Sequence, residues 1–176
     1  MADFSFEIEF GFAAAPDATA IAALIERAYR GPVAATGWTN ESELLVGPRS
    51  SVGEVKELIG EAGSRFVTAR HGGALVGCAL IQHLGQGAYF GMFAIDPDRQ
   101  AAGLGKAVIA RAEAAARELW GATFMRLTVI SLREQLIAWY ERRGYVNTGF
   151  RERFPFETAT GALRTDFDLI VLEKPL

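Results

Sequence analysis

The chain has little of what builds covalent or metal-held scaffolds: one cysteine and two histidines in 176 residues. One thiol cannot staple a small secreted fold. Cys78, inside the apolar run Ala74–Ile81 with no activating partner, reads as a buried, inert group and not a nucleophile. His71 sits in a Gly-Gly turn, as a surface turn residue would. His83 follows a strand with no second His, Cys or Asp at ligand spacing, so no metal site is expected. A basic excess is also missing. With 18 Lys+Arg against 21 Asp+Glu and a pI near 5.5, the chain lacks the charge that neutralises phosphates, and neither DNA nor RNA is expected as a partner. No apolar stretch approaches the ~20 residues that span a bilayer. Met1-Ala2-Asp3-Phe4 has no basic leader, so a soluble, cytoplasmic protein with no membrane contact is expected.

What is present is apolar: 50% of the residues, enough for a core, and one domain over residues 1–176 is expected. Phe4, Phe6, Ile8, Phe10 and Phe12 alternate with Ser5, Glu7, Glu9 and Gly11, predicting an opening strand with one buried face. Pro16-Asp17 then starts a helix carrying Ile21, Leu24, Ile25, Ala28 and Tyr29, which Gly31-Pro32 stops. Residues 31–51 show no period and read as a loop of the kind that sets specificity. A short helix follows over 52–62. Strands 65–70 and 74–82 meet at His71-Gly72-Gly73 as an antiparallel hairpin, and strand 88–95 adds a third. The longest helix, 104–120, presents Leu104, Val108, Ala112, Ala115 and Leu119 on one side. Strand 124–130, helix 134–143 and strands 146–153 and 165–173 complete the order. The expected fold class is α/β (α+β): a mixed, mostly antiparallel central sheet of about seven strands flanked by about four helices.

The chemistry concentrates where strand 88–95 meets the longest helix. Gln100-Ala101-Ala102-Gly103-Leu104-Gly105-Lys106 is a glycine-bearing loop opening directly into that helix, which makes it an anion site. A helix start offers unpaired N–H groups and partial positive charge, glycines admit a phosphate to the backbone, and Lys106 adds a cation. Two other glycine motifs fail. A Walker loop needs Gly and Ser or Thr where Gln100 and Ala107 stand, and a dinucleotide fingerprint needs a small residue where Val108 stands.

The run Phe93-Ala94-Ile95-Asp96-Pro97-Asp98-Arg99-Gln100-Ala101-Ala102-Gly103-Leu104-Gly105-Lys106 resembles motif A of the GNAT superfamily of acyl-CoA N-acyltransferases, with its Gln/Arg-x-x-Gly-x-Gly/Ala signature. Leu136-Ile137-Ala138-Trp139-Tyr140-Glu141-Arg142-Arg143-Gly144-Tyr145 is similar to the family's second motif, and the element order agrees over about residues 4–153. The resemblance implies acetyl-CoA as co-substrate. The backbone of Phe93, Ala94 and Ile95 would pair with the pantetheine arm, and Gln100, Ala101, Ala102, Gly103, Leu104, Gly105 and Lys106 would hold the pyrophosphate. Tyr140 would be the general acid to the CoA sulfur, although it shares a face with Leu136 and Ile137 as a core residue would.

Two departures stand out. Arg133 occupies a place where many relatives carry Asn, and Thr128 one where some carry a glutamate base. Arg133 is therefore grouped with the cofactor residues, reaching phosphate or an acidic substrate group. The base is left to Asp96, Glu41 or Glu43, or to an amine of low pKa. Tyr89, Met92, Phe154 and Trp38 are candidate walls of a substrate cleft. Without an activated cysteine, transfer would go directly from acetyl-CoA to a small-molecule or peptide or protein amine. The alternative is an acyl-CoA-binding sensor or partner module without turnover. Apolar residues such as Phe156 suggest a homodimer.

Overall fold

A computed structural model describes residues 7–31, 41–159 and 161–176. Among them are seven strands: β1 (Glu9–Phe12), β2 (Ser64–His71), β3 (Ala74–Leu84), β4 (Gly87–Ile95), β5 (Phe124–Ile130), β6 (Val146–Glu152) and β7 (Leu169–Pro175). Four α-helices, α1 (Ala18–Tyr29), α2 (Val52–Gly60), α3 (Leu104–Trp120) and α4 (Glu134–Glu141), flank the sheet, whose order is β1-β2-β3-β4-β5-β7-β6. Every pairing is antiparallel except β4 with β5, which are joined across α3.

The central strands are apolar on both sides because both faces are covered. Phe66, Cys78, Leu80 and Ala94 turn toward α1 and α2, where Ile21, Leu24, Ile25 and Val55 meet them. Val67, Ala79, Ile81 and Phe90 turn the other way, under Val108, Ile109, Ala112 and Ala115 of α3. Gly72 and Gly73 both adopt positive φ (55° and 82°), which the two-residue β2–β3 turn requires. Cys78 is fully buried, and burial pushes its thiol up from 9.0 to about 12.

Four expectations need correcting. The described residues of β1 are all exposed, with Phe12 at 42%. Among the described residues β1 is an edge strand paired with β2, and the Arg111 guanidinium lies 5.7 Å from the Phe12 ring centre. Phe4, Phe6 and Trp38 lie outside the described residues. On α3 the buried stripe ends at Ala115 and Ala116, leaving Leu119 40% exposed, while Trp120 stacks on His83. The last strand starts at Leu169 and not at Thr165, because Phe167 leaves the ladder to pack on Phe154 and Phe156 at ring separations of 4.9 and 5.0 Å. Phe156 is therefore half-buried inside the chain, and the exposed aromatic of this region is Phe150, at 75%.

Candidate active site

β4 carries a bulge. Against β3 its register runs from Leu80↔Gly91 to Cys78↔Ala94, so β4 spends one more residue than its partner, and Met92 absorbs the excess at φ 44°. A bulge bends its strand and sharpens the local twist. On the other side, parallel pairing with β5 is confined to Ala88↔Met125 and Tyr89↔Arg126. Beyond those pairs the strands part, and a cavity of about 540 Å³ opens between Gly91–Phe93 and Leu127–Ile130.

The main chain of β4 is thereby left facing a gap. Asp96 N–H donates to Val76 C=O at 2.9 Å, so Asp96 and, two residues back, Ala94 direct their main-chain groups to β3. Strand alternation then turns Ile95 and Phe93 toward the side that β5 has vacated. The motif treats the three alike; the ladder separates Ala94 from the other two. The Phe93 carbonyl also accepts a 2.7 Å bond from the buried Tyr29 hydroxyl.

Tyr140, 5% exposed, comes from α4 and lines the same cavity. Its ring is held edge-on by Trp139 and Tyr145, at 5.1 and 5.7 Å between centres. Burial raises its hydroxyl pKa well above the usual phenol value. Tyr29 and Tyr89 add to this, and Arg133 and Arg143 oppose it. Tyr29 is raised likewise by burial, against the lowering charge of Arg49. Tyr89 and Thr128 face each other at 3.2 Å between hydroxyl oxygens.

Following β4, Pro97–Ala102 forms a 3-10 turn that three contacts anchor. Asp96 accepts from Asp98 N–H at 3.2 Å and pairs with Arg27 at 3.0 Å, and Arg99 reaches His71 Nδ1 at 3.0 Å. His71 is thus an anchor for this turn and more than a surface turn residue. Gly103 then adopts φ 74° and opens α3 with no side-chain cap; a Cβ built on it would meet nothing within 4 Å. Across this junction Ala107 N–H donates to Gly103 C=O at 3.2 Å. Helix geometry leaves the N–H groups of Leu104, Gly105 and Lys106 ahead of it for an external acceptor. Leu104 and Gly105 are buried while Gly103 and Lys106 are exposed. A positive-φ glycine, an open approach and three forward N–H groups fit a diphosphate.

The sequence-predicted residues therefore divide. Phe93 and Tyr140 share the cavity with Tyr89, Met92, Phe154 and Arg133, whereas the cavity lining contains none of residues 100–106. Arg133 thus stands with the cavity and not with the phosphate loop. Of the three candidate bases, Glu41 lines the cavity but is closed by Arg30 at 2.9 Å, Asp96 is held by Arg27, and Glu43 is exposed. Tyr29 and Arg49 were missed. Tyr29 sits on the apolar face of α1, where its spacing indicates a core residue, and Arg49 stands in a stretch without periodicity.

With this geometry in place, comparison with known proteins defines the class. The family model for the acetyltransferase (GNAT) family matches residues 33–145, and the chain belongs to that family. Solved structures of the same fold include the ribosomal-protein alanine N-acetyltransferase of Escherichia coli, at TM-score 0.71 and 19% identity over 96% of this chain and 93% of that one. The PaiA N-acetyltransferase of Thermoplasma acidophilum, solved with coenzyme A, gives TM-score 0.69 and 15% identity over 97% and 99%. The spermidine/spermine N-acetyltransferase SpeG of Vibrio cholerae gives 0.67 and 17% over 96% and 92%. No curated protein matches the sequence. The protein is an acetyltransferase of the GNAT fold. Among the described residues no helix is long and apolar enough to cross a membrane.

Proposed function

We propose that the chain, acting as one domain in the cytoplasm, transfers an acetyl group directly from acetyl-CoA to an amine of a small molecule or a peptide. The observation that carries this reading is the gap itself: β4 main chain on one wall, the Tyr140 phenol lining it, and an uncapped helix start following the same strand. Acetyl-CoA would bring a thioester whose carbon accepts the amine and whose departing sulfur needs a proton.

The protein's own groups divide that work. N–H groups of Leu104, Gly105 and Lys106 hold the diphosphate, with Gln100, Ala101 and Ala102 shaping the turn before them. Phe93 and Ile95 offer main-chain groups to the pantetheine arm, and Ala94 fixes their register through β3. Tyr140 keeps its proton across the physiological range because burial disfavours the phenolate, and it is the group poised to give that proton to a leaving thiolate. The missing carboxylate base has a physical substitute. Arg49 and Arg133 line the cavity, and like charge disfavours the ammonium form of an amine bound beside them.

The test is thiol release from acetyl-CoA with a panel of amines, comparing wild type with Tyr140→Phe. The ring and its packing survive this change, so CoA affinity and melting temperature should hold while kcat falls about 10²-fold or more, the range of general acid catalysis. An unchanged kcat would remove Tyr140 from the chemistry. Absence of amine-dependent release in the wild type would leave a binding module only.

A further inference from the structure

The charges lining the cavity do not balance. They are three arginines, Arg30, Arg49 and Arg133, and two glutamates, Glu41 and Glu54. Arg30 and Glu41 neutralise each other at 2.9 Å with both side chains largely covered, and Arg30 is further tied to Gly47 C=O at 3.1 Å. Glu54 stands exposed at the start of α2. Residues 32–40, adjoining Arg30 and Glu41 in the chain, contain no Asp, Glu, Lys or Arg and leave this balance as it is.

Arg49 is deliberately placed. Its main-chain N–H and that of Ser50 both donate to the Glu26 carboxylate of α1, pinning the loop. The guanidinium lies 5.2 Å from the Tyr29 ring centre, and among the described residues it joins no ion pair. Tyr29 in turn bonds the Phe93 carbonyl at the bulge. Arg133 precedes α4, and its charge is felt at both Tyr140 and Tyr29; burial disfavours that charge, while Glu41 and the exposed Glu43 favour it. Two guanidinium groups thus flank the tyrosine pair in one cavity. A guanidinium fork matches a carboxylate or phosphate and repels a cation.

We propose that the acceptor is a small amine that also carries an anionic group, a carboxylate, which docks on Arg49 and Arg133 while the amine lies beside Tyr140. This rests on the acetyl-transfer reading and deepens it. A polyamine would bring several positive charges into a lining already in positive excess, so the cavity selects against one. The same guanidinium groups that bind the carboxylate hold the neighbouring amine neutral, so specificity and activation share one pair of residues.

The experiment compares free α-amino acids with the matching α-amino amides, aminoalkyl phosphonates and spermidine. Two readouts are used: thiol release from acetyl-CoA, and calorimetric binding of each compound to the protein saturated with CoA. Acids should exceed their amides by about tenfold or more in kcat/KM and in affinity, the size of one charge-assisted bond. Arg49→Gln and Arg133→Gln should each bring that ratio toward one, chiefly through KM, and Arg133→Lys should recover part of it. Phosphonates preferred over carboxylates would overturn the carboxylate assignment. Equal or better use of amides or spermidine, an acid-to-amide ratio unmoved by both glutamine variants, or no binding of any acid would overturn the proposal. Acid-selective binding that both variants erase, without thiol release, would uphold the anion site and defeat acetyl transfer. Thiol release indifferent to the carboxylate would do the reverse. Should Arg133→Gln fail to fold, the half-buried surface position Arg49 still decides the matter.

Discussion

Replacing Gly103 tests the phosphate cradle in a way the local geometry makes clean. Its φ of 74° lies where a side chain clashes with its own backbone, at a cost of roughly 1–2 kcal/mol for ordinary residues and less for Asn. Nothing lies within 4 Å of the position a Cβ would take, so neighbours add no steric penalty and the whole effect is conformational. A series Gly103→Asn, Gly103→Ala and Gly103→Val should therefore lose stability in that order. At roughly 1–2 kcal/mol the melting temperature falls by a few degrees for a chain of this size. Binding should fall further. Relaxing φ to negative values turns the first turn of α3, and with it the N–H groups of Leu104, Gly105 and Lys106. Losing one bond to a charged group, worth about 1.5–3 kcal/mol, weakens CoA by roughly ten- to 150-fold. Calorimetry with CoA reads this directly. Pantetheine, which lacks the diphosphate, serves as the control and should lose little. If Gly103→Val lowered the melting temperature yet bound CoA as tightly as wild type, the helix start would not hold the diphosphate.

Two further outcomes follow from buried hydroxyl and thiol groups. Burial raises Cys78 from 9.0 to about 12, so the native chain keeps a proton that the unfolded chain releases. The resulting stabilisation is complete below pH 9 and is lost as pH climbs toward 12. Each such group contributes a slope of about 1.4 kcal/mol per pH unit. Tyr29, Tyr140 and Tyr145, raised chiefly by burial, join above pH 10. Urea midpoints should fall steadily from pH 9 upward and Cys78→Ala should flatten the first part of that fall; a wild-type midpoint independent of pH over this range would contradict the burial of these groups. Tyr29→Phe removes the 2.7 Å bond to the Phe93 carbonyl, and about 0.5–1.5 kcal/mol of stability with it. It should raise the KM for acetyl-CoA more than it lowers kcat, and an unchanged KM would detach Tyr29 from the bulge's function.

Local periodicity made most elements legible. α3 begins and ends at the residues its pattern and flanking glycines indicate, and the β2–β3 turn follows from Gly72 and Gly73. What escaped was set by partners distant in sequence. The alternation in 9–12 is real, yet among the described residues no element covers that edge, and Phe167 has strand-like neighbours but finds its partners in Phe154 and Phe156. The same holds in the site. Gly103 and Tyr140 announce themselves through short motifs, because a main-chain cradle and a helix face are local objects. Arg49 belongs to the site only because Glu26, 23 positions earlier, holds its loop, and no local pattern encodes that contact.

The bulge at Met92 explains why these scattered groups converge. An antiparallel sheet buries its own main chain by pairing it, and β4 is paired on its β3 side through Ile95. On the β5 side pairing stops at Tyr89, and one extra residue is enough to turn the rest of β4 from its neighbour. Freed carbonyl and N–H groups in an apolar wall are costly unless something bonds them. Tyr29 meets one such need at Phe93. The groove is therefore a consequence of one irregular residue in a regular sheet. Removing that irregularity should close the gap, erasing the acyl site and the anion site beside it together.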